Sequence, residues 1–314
     1  MGALTIAVPC YNRLSLLQKC VQSVQAQSWN DWELFLVDDG SNHETVSFCS
    51  KIADQDARIT FVQNPQRLGV SGNYQKCSTL GNADHLLLLA ADDVLEQKFV
   101  EKVTNVIETN SSFGMICTQR VLVGPNRLSR KIHAPYIGAQ SPGSTIPRAL
   151  ASGNLYGLYS SVVVNRKVLQ DVGGVPKNNP FGDFELFLQI AAMHSIFYAD
   201  ARVYQWWDAS TQTARYVQDG SVITYEEDMF HRLLTASPNE DLRRLLRTPV
   251  AWTRLYNLGW LLAIYNLSHG NWRGAKLCVE RAMQVQRTAP VCLATLGSAS
   301  MMLRLLWNRI RLQY

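Results

Sequence analysis

The sequence predicts an α/β fold: a mostly parallel central sheet flanked by helices, followed by an all-helical C-terminal extension. Three observations predict it. Through residues 4–123, short apolar runs alternate with helical stripes. The apolar runs are continuous rather than two-periodic, as in strands buried on both faces. From Tyr225 onward the strand signals stop and long amphipathic stretches take over.

Leu4–Val8 is an apolar run closed by Pro9 and reads as a buried strand. Leu14, Leu17, Val21 and Val24 form a helical stripe over Leu14–Gln25, with Ser15 as the expected cap. Trp32–Val37 is a second strand, ended by Asp38-Asp39-Gly40-Ser41, and Thr45–Ala53 is a helix. Ile59–Gln63 is a third strand, ended by Asn64-Pro65. Val70–Leu80 reads as a helix, His85–Ala90 as a fourth strand, Phe99–Glu108 as a helix and Gly114–Val123 as a strand. Residues 124–147 are rich in Pro, Gly and Ser and carry a basic patch at Arg127, Arg130, Lys131 and His133. They are expected to loop over the sheet edge. Helix and strand signals resume over 146–203, and Trp206–Asp219 reads as another loop. The helices of the extension are Leu255–His269, Trp272–Gln286 and Ala289–Arg311, punctuated by Gly270 and Pro290. A boundary at 224 separates a first domain, 1–224, from a helical region, 225–314.

Bulk properties exclude several classes. A hydrophobic fraction of 47% and a charged fraction of 18% over 314 residues describe a globular chain with a substantial core, not a disordered one. A net charge of +5 suits anionic substrates or anionic lipid and is too small to argue for nucleic acid. The seven cysteines are odd in number and form no CxxC pair, so they are expected as reduced thiols of a cytoplasmic protein rather than disulfides or a zinc site. No signal-peptide pattern opens the sequence. Thr288–Leu303 lacks charge but falls short of the roughly 20 apolar residues of a spanning helix. With Arg304, Arg309 and Arg311 behind it, it reads either as a packing helix or as one lying on the inner membrane face.

In parallel α/β sheets, ligands bind beyond the carboxyl ends of the strands. Four motifs fall there or open a helix. Val8-Pro9-Cys10-Tyr11-Asn12-Arg13 closes the first strand, Asp38-Asp39-Gly40-Ser41 the second and Ala90-Ala91-Asp92-Asp93 the fourth. Phe181-Gly182-Asp183-Phe184-Glu185 opens a helix. Paired carboxylates suit a divalent cation facing a diphosphate, and a further carboxylate suits a general base. Each motif alone has a plainer explanation. Asp38-Asp39-Gly40-Ser41 is also a turn composition, Asp92-Asp93 also a helix cap, and Asp183 also a helix N-terminal acid, with Glu185 as its competitor. Trp206 and Trp207 fit packing or sugar stacking equally, and His194, His231 and His269 fit structural or surface positions.

The ordered set resembles the inverting family 2 glycosyltransferases of the GT-A fold, a Rossmann-like architecture, over about residues 3–215. The resemblance implies transfer of a sugar from a nucleotide-diphosphate donor, UDP-sugar favoured and dTDP-sugar open, to an acceptor hydroxyl in polysaccharide or glycan synthesis. It implies that Asp39 accepts the nucleobase N3–H, and that Pro9, Tyr11 and Arg13 line the base and diphosphate. Gly69, Gly72 and Asn73 would form a loop over the nucleotide. Asp92 would sit on the ribose or metal side, Asp93 would ligate Mn²⁺ or Mg²⁺, and Asp183 would be the catalytic base. Two departures stand out. Ala90 occupies the place of a common acidic residue, and Tyr204-Gln205-Trp206-Trp207-Asp208 lacks the usual metal-side His, leaving Trp207 or Asp208 in its place. The QxxRW motif and spanning helices of processive synthases are absent, so single addition is expected.

Two rival functions differ in class. A nucleotidyltransferase would show a glycine-rich phosphate loop after its first strand, which Pro9-Cys10-Tyr11-Asn12-Arg13 is not. A catalytically weak nucleotide-sugar- or glycan-binding protein of the same fold is the other rival; Asp39, Asp93 and Asp183 are all retained, and the missing metal-side His is what speaks for it. Residues 225–314 are read as a contact region for a homodimer, a partner or a membrane surface, and acceptors as glycan, lipid-linked or protein-linked.

Overall fold

In a computed structural model the described residues are 4–110, 112–124, 129–132, 134–177, 179, 182–206, 216 and 218–288. They divide into two compact units, one within Met1–Ile146 and Asn154–Trp207, the other within Pro147–Gly153 and Asp208–Tyr314.

The first unit is built on one sheet. Its strands are β1 (Leu4–Cys10), β2 (Trp32–Asp38), β3 (Ile59–Gln63), β4 (His85–Leu88), β5 (Val94–Leu95), β6 (Met115–Val123), β7 (Ser129–Ile132), β8 (Gly138–Gln140), β9 (Val162–Asn165) and β10 (Ile196–Trp206). The order is β3-β2-β1-β4-β9-β6-β10-β5, with β7 paired to β6 and β8 to β10. β1 to β4 are mutually parallel. β9 enters antiparallel between β4 and β6, and β6 is parallel to β10. Hence β1–β4, β6 and β10 all end along one edge, although the sheet as a whole is mixed. Residues 124–147, expected as a loop, include the edge strands β7 and β8. The basic side chains of Arg127, Arg130, Lys131 and His133 lie outside the described residues.

The helices follow the apolar stripes. α1 (Leu14–Gln25) buries Leu17, Cys20, Val21 and Val24 against the sheet. α2 (His43–Gln55) is capped by Asn42, whose Oδ1 accepts from the Thr45 N–H at 3.0 Å. α3 (Gly69–Ser78) packs on β1, β2 and β4, and α4 (Phe99–Thr109) packs on β10. α6 (Arg166–Asp171) is capped by Asn165, and α7 (Gly182–Met193) is buried on almost every side. Ser15 does not cap α1: the cap position is Arg13, left-handed and without a side-chain bond to the helix. Nor do Asp92 and Asp93 cap α4, because β5 intervenes and the cap position is Lys98. Both acids are thereby left for the strand edge.

The second unit holds α5 (Ile146–Ser152) from Pro147 onward, α8 (Ser221–Ala236), α9 (Glu240–Leu246), α10 (Pro249–Ser268) and α11 (Trp272–Thr288). The boundary expected at 224 falls inside α8. α10 and α11 approach closely at Gly259, where a Cβ would stand 2.6 Å from Ala282 Cβ. Arg254 binds the unit together: it ion-pairs with Glu226 on α8 and donates to the Leu150 carbonyl on α5 at 3.1 Å. Residues 289–311 lie outside the described residues, and no described helix is long and apolar enough to cross a membrane. Cys10, Cys20, Cys49, Cys77, Cys117 and Cys278 are buried free thiols; Cys292 lies outside the described residues.

Candidate active site

β1 ends in a strained turn. Pro9 lies past the β4 ladder, so its missing N–H leaves no open bond there. Asn12 and Arg13 both adopt positive φ, 55° and 56°, which side-chain-bearing residues rarely do in succession. Hydrogen bonds to the end of β2 hold them. The Asn12 N–H donates to Ser41 Oγ at 2.8 Å, and Asn12 Oδ1 accepts from the Asn42 N–H at 2.9 Å. The turn leaves Tyr11 exposed, with the Arg67 guanidinium 4.0 Å above its ring.

The first acidic pair divides its work. Asp38 is fully buried and folds back on its own turn, accepting from the N–H groups of Gly40 and Ser41. Asp39 reaches across to α3. Its Oδ1 accepts from the Leu68 N–H at 2.7 Å and from Asn64 Nδ2 at 3.0 Å, and its Oδ2 accepts from the Gly69 N–H at 2.8 Å. A carboxylate here satisfies free N–H groups of a helix start and meets its positive end. Oδ2 keeps acceptor capacity for a ligand. Gly69 has φ 73°, so a side chain there would be strained. Gly69 and Asn73 belong to α3 rather than to a loop. Asn73 is a buttress: its Oδ1 accepts from Asn64 and its Nδ2 donates to the Val37 carbonyl at 2.9 Å.

The second acidic pair sits past β4. Asp92 Oδ2 takes the Arg13 guanidinium at 2.8 Å. Asp93, 5% exposed, accepts from the Trp206 N–H at 3.1 Å, which fixes the end of β10 beside it. Burial raises the Asp93 pKa and the negative Asp92 raises it further, while Ser160, the Trp206 N–H and Gln205 pull it down. Burial also raises Asp92, against the pull of Arg13. Gln205 is 3% exposed, and neither Nε2 nor Oε1 has a hydrogen-bond partner among the described residues.

Asp183 is 7% exposed in the first turn of α7, where its Oδ1 accepts from the Phe184 N–H at 2.8 Å. Glu185 accepts from Asn179 Nδ2 at 3.0 Å and is buried as well. Two residues that sequence reasoning did not single out join the acids. Arg120 on β6 has its pKa lowered by burial and raised back by the charges of Asp183 and Asp93. Tyr74 on α3 is pushed up by burial and then by Asp92, Asp93 and Asp183. Its ring lies 4.8 Å from that of Tyr159, which Asp183 also influences. A cation in the middle of the otherwise uncharged run Met115–Val123 was the available signal for Arg120.

Arg120 thus lies within electrostatic reach of Asp93 and Asp183, and Tyr74 within reach of Asp92, Asp93 and Asp183. Asp39 with Asn64, Leu68 and Gly69 forms a second cluster, and Tyr11 lies under the Arg67 guanidinium. No three His, Cys, Asp or Glu side chains group as a metal set among the described residues. The two carboxylates of 92–93 and the open Gln205 amide nevertheless offer the hard oxygen donors that Mg²⁺ and Mn²⁺ prefer. Trp207 and Asp208, expected near the metal, lie outside the described residues.

Comparison with known proteins is consistent with this geometry. A segment of 96 residues is 31% identical to a β-1,3-glucosyltransferase of Campylobacter jejuni acting on GalNAc(5)-diNAcBac-PP-undecaprenol, covering 30% of this chain and 31% of that one. A longer segment is 25% identical to the putative glycosyltransferase EpsE of Bacillus subtilis, over 52% of this chain and 62% of the relative. With the Streptococcus pneumoniae glycosyltransferase GlyA the match is 28% identical, over 31% of this chain and 14% of the relative's length. The chain thus spans less than two thirds of the length of each of these curated relatives. Among solved structures, S. aureus TarS 1–349 with UDP-GlcNAc has a TM-score of 0.61 at 12% identity, over 90% of this chain and 92% of that one. Mannosyltransferase PcManGT of Pyrobaculum calidifontis, with GDP-Man and Mn²⁺, has 0.57 at 13%, over 96% and 80%. At such identities these likenesses establish the fold. The Glycosyl transferase family 2 model matches residues 5–173 of the 314, more than half of the chain, and the protein belongs to that family.

Proposed function

We propose that the protein is a metal-dependent, inverting glycosyltransferase that moves a sugar from a nucleotide-diphosphate donor to an acceptor hydroxyl of a glycan. The observation that carries this is the shared surroundings of Asp93 and Asp183, since Arg120 and Tyr74 each feel the charge of both. Asp183 is the general base and withdraws the proton from the acceptor hydroxyl as it attacks in line. Asp39 presents Oδ2 to the nucleobase N3–H, favouring uracil or thymine, while Tyr11 and Arg67 wall the base. Pro9, Gly69 and Asn73 shape the donor side, and Arg13 and Asp92 meet at its mouth. Asp93, with Asp92 beside it, would hold Mn²⁺ or Mg²⁺, which when bound neutralises charge on the leaving diphosphate. TarS with UDP-GlcNAc supports a uridine donor, and PcManGT with Mn²⁺ supports the metal.

The test is a panel of UDP-, dTDP- and GDP-sugars screened by thermal shift with Mn²⁺. A true donor stabilises the fold by mass action, about 2.7 kcal/mol at a hundredfold excess over Kd. A UDP- or dTDP-sugar should raise Tm only with the metal, and a GDP-sugar alone doing so would overturn the role of Asp39.

The second unit is proposed to sit on the inner face of an anionic membrane, consistent with lipid-linked acceptors. In support, Trp260, Ile264 and Leu267 share one exposed arc of α10, and Trp272 is exposed at the start of α11. Arg273 and Lys276 follow on α11. Flotation with anionic liposomes checks this. Protein that stays at the bottom and elutes as a dimer would assign the surface to a second copy.

A further inference from the structure

We propose that the side-chain oxygen of Gln205 is a protein ligand of the divalent cation held by Asp93. The inference rests on the metal-dependent function proposed above. Three observations meet at this side chain. Gln205 is 97% buried by its 3% exposure, yet both amide atoms lack a partner among the described residues. Buried amides are almost always bonded, so an open one has capacity for a group that the chain does not supply, such as an ion or ordered water. The next residue in β10 already contacts the acidic pair, since the Trp206 N–H donates to Asp93 Oδ1 at 3.1 Å. No bonding geometry joins the amide to Asp93, but it stands close enough to pull that carboxylate's pKa down.

The chemistry fits the position. Asp92 has a cation of its own in Arg13, at 2.8 Å. Asp93 accepts at short range from a neutral backbone N–H, and the cation within its reach, Arg120, is shared with Asp183. An amide oxygen is a hard, neutral ligand that adds affinity for Mg²⁺ or Mn²⁺ without adding another charge to a crowded carboxylate pair. Oxygen and nitrogen of a glutamine amide exchange places by a half-turn of the last torsion, so the group can donate to Asp93 when no ion is bound and ligate when one is. An amide oxygen also makes the site harder than an imidazole would, which favours Mg²⁺ and Mn²⁺ over metals that prefer nitrogen.

The experiment titrates the full chain with Mn²⁺ alone and follows the free-ion signal by electron paramagnetic resonance, so no donor and no turnover enter the readout. The parent should bind Mn²⁺. Gln205→Met keeps the volume, loses the oxygen and should weaken the Kd at least tenfold. Gln205→Glu should tighten it by a similar factor. A circular dichroism melt checks folding, and if the Met variant does not fold, the Glu variant decides alone. Parent-like affinity in a folded Met variant, or an unchanged Kd in the Glu variant, overturns the role of Gln205 and leaves the metal itself standing. A parent that binds no Mn²⁺ at millimolar concentration overturns both this inference and the metal dependence on which it rests.

Discussion

Arg13 and Asp92, 79 positions apart in the sequence, meet in an ion pair of 2.8 Å at the mouth of the site. Arg13 is held there by backbone rather than by its charge, because it and Asn12 both occupy the left-handed region. The pair is too exposed to matter for stability, where such contacts contribute below about 1 kcal/mol. Its value lies in presenting a guanidinium beside the second acidic pair. Arg13→Met should shift Tm by no more than a few degrees while raising the donor KM about tenfold or more. Thermal melts and steady-state kinetics check the two halves, and a large loss of Tm would make the contact structural.

Asp39 should behave in the opposite way. Its carboxylate accepts from the N–H groups of Leu68 and Gly69, and charge-assisted bonds of this kind are each worth about 1.5–3 kcal/mol. Asp39→Asn replaces one acceptor by a donor facing an N–H group. It should destabilise the fold by about 2–3 kcal/mol. Hydrogen exchange should quicken at residues 68–72, and donor binding should be lost as well. Unchanged exchange there would show that the two bonds do not anchor α3.

Gly69 gives a cleaner backbone test of the same junction. No atom lies within 4 Å of a Cβ added there, yet φ is 73°. Gly69→Ala should therefore cost about 1–2 kcal/mol through conformation alone. A urea melt with unchanged m-value measures it.

His85 starts β4, the strand that delivers the second acidic pair, and is buried. Burial lowers its pKa and the nearby Asp84 partly restores it. The unfolded chain then binds a proton more readily than the folded one. The contribution of His85 is complete above about pH 6.5, the unfolded value, and is lost as pH falls toward the folded pKa. Melts at pH 7.5 and 5.5 should show a larger drop for the parent than for His85→Gln. Equal drops would remove His85 as the cause.

Arg120 is the cation shared by Asp93 and Asp183. Arg120→Met removes that charge and leaves two buried carboxylates to repel. Turnover should fall about a hundredfold or more, and the residual activity should shift to higher pH, because without the cation both carboxylates ionise less readily. Parent-like turnover at every pH would exclude Arg120 from the site.

Much of this arrangement was legible in the sequence because it is local. α1 and β3 are found at their expected limits, Leu14–Gln25 and Ile59–Gln63, since an apolar period ending in a polar turn is written over consecutive residues. The acidic pairs follow the same logic, each directly after a buried strand. What escaped is non-local. Nothing within Val162–Asn165 states that β9 inserts antiparallel between β4 and β6. Arg120 and Tyr74 become site residues only when β6 and α3 are brought beside Asp93 and Asp183. Ser15 misled because its composition suits a cap, while the left-handed Arg13 had already started α1 by backbone geometry.

The central claim is that Asp183 acts as the base in a site whose donor half is organised by Asp39 and Asp93. Single-turnover transfer by Asp183→Asn, with the donor that gives the largest Mn²⁺-dependent rise in Tm, tests it most directly. A general base contributes about 10²- to 10⁴-fold. The account predicts a loss of that size with donor affinity within about twofold of the parent, and transfer at the parent's rate would contradict it.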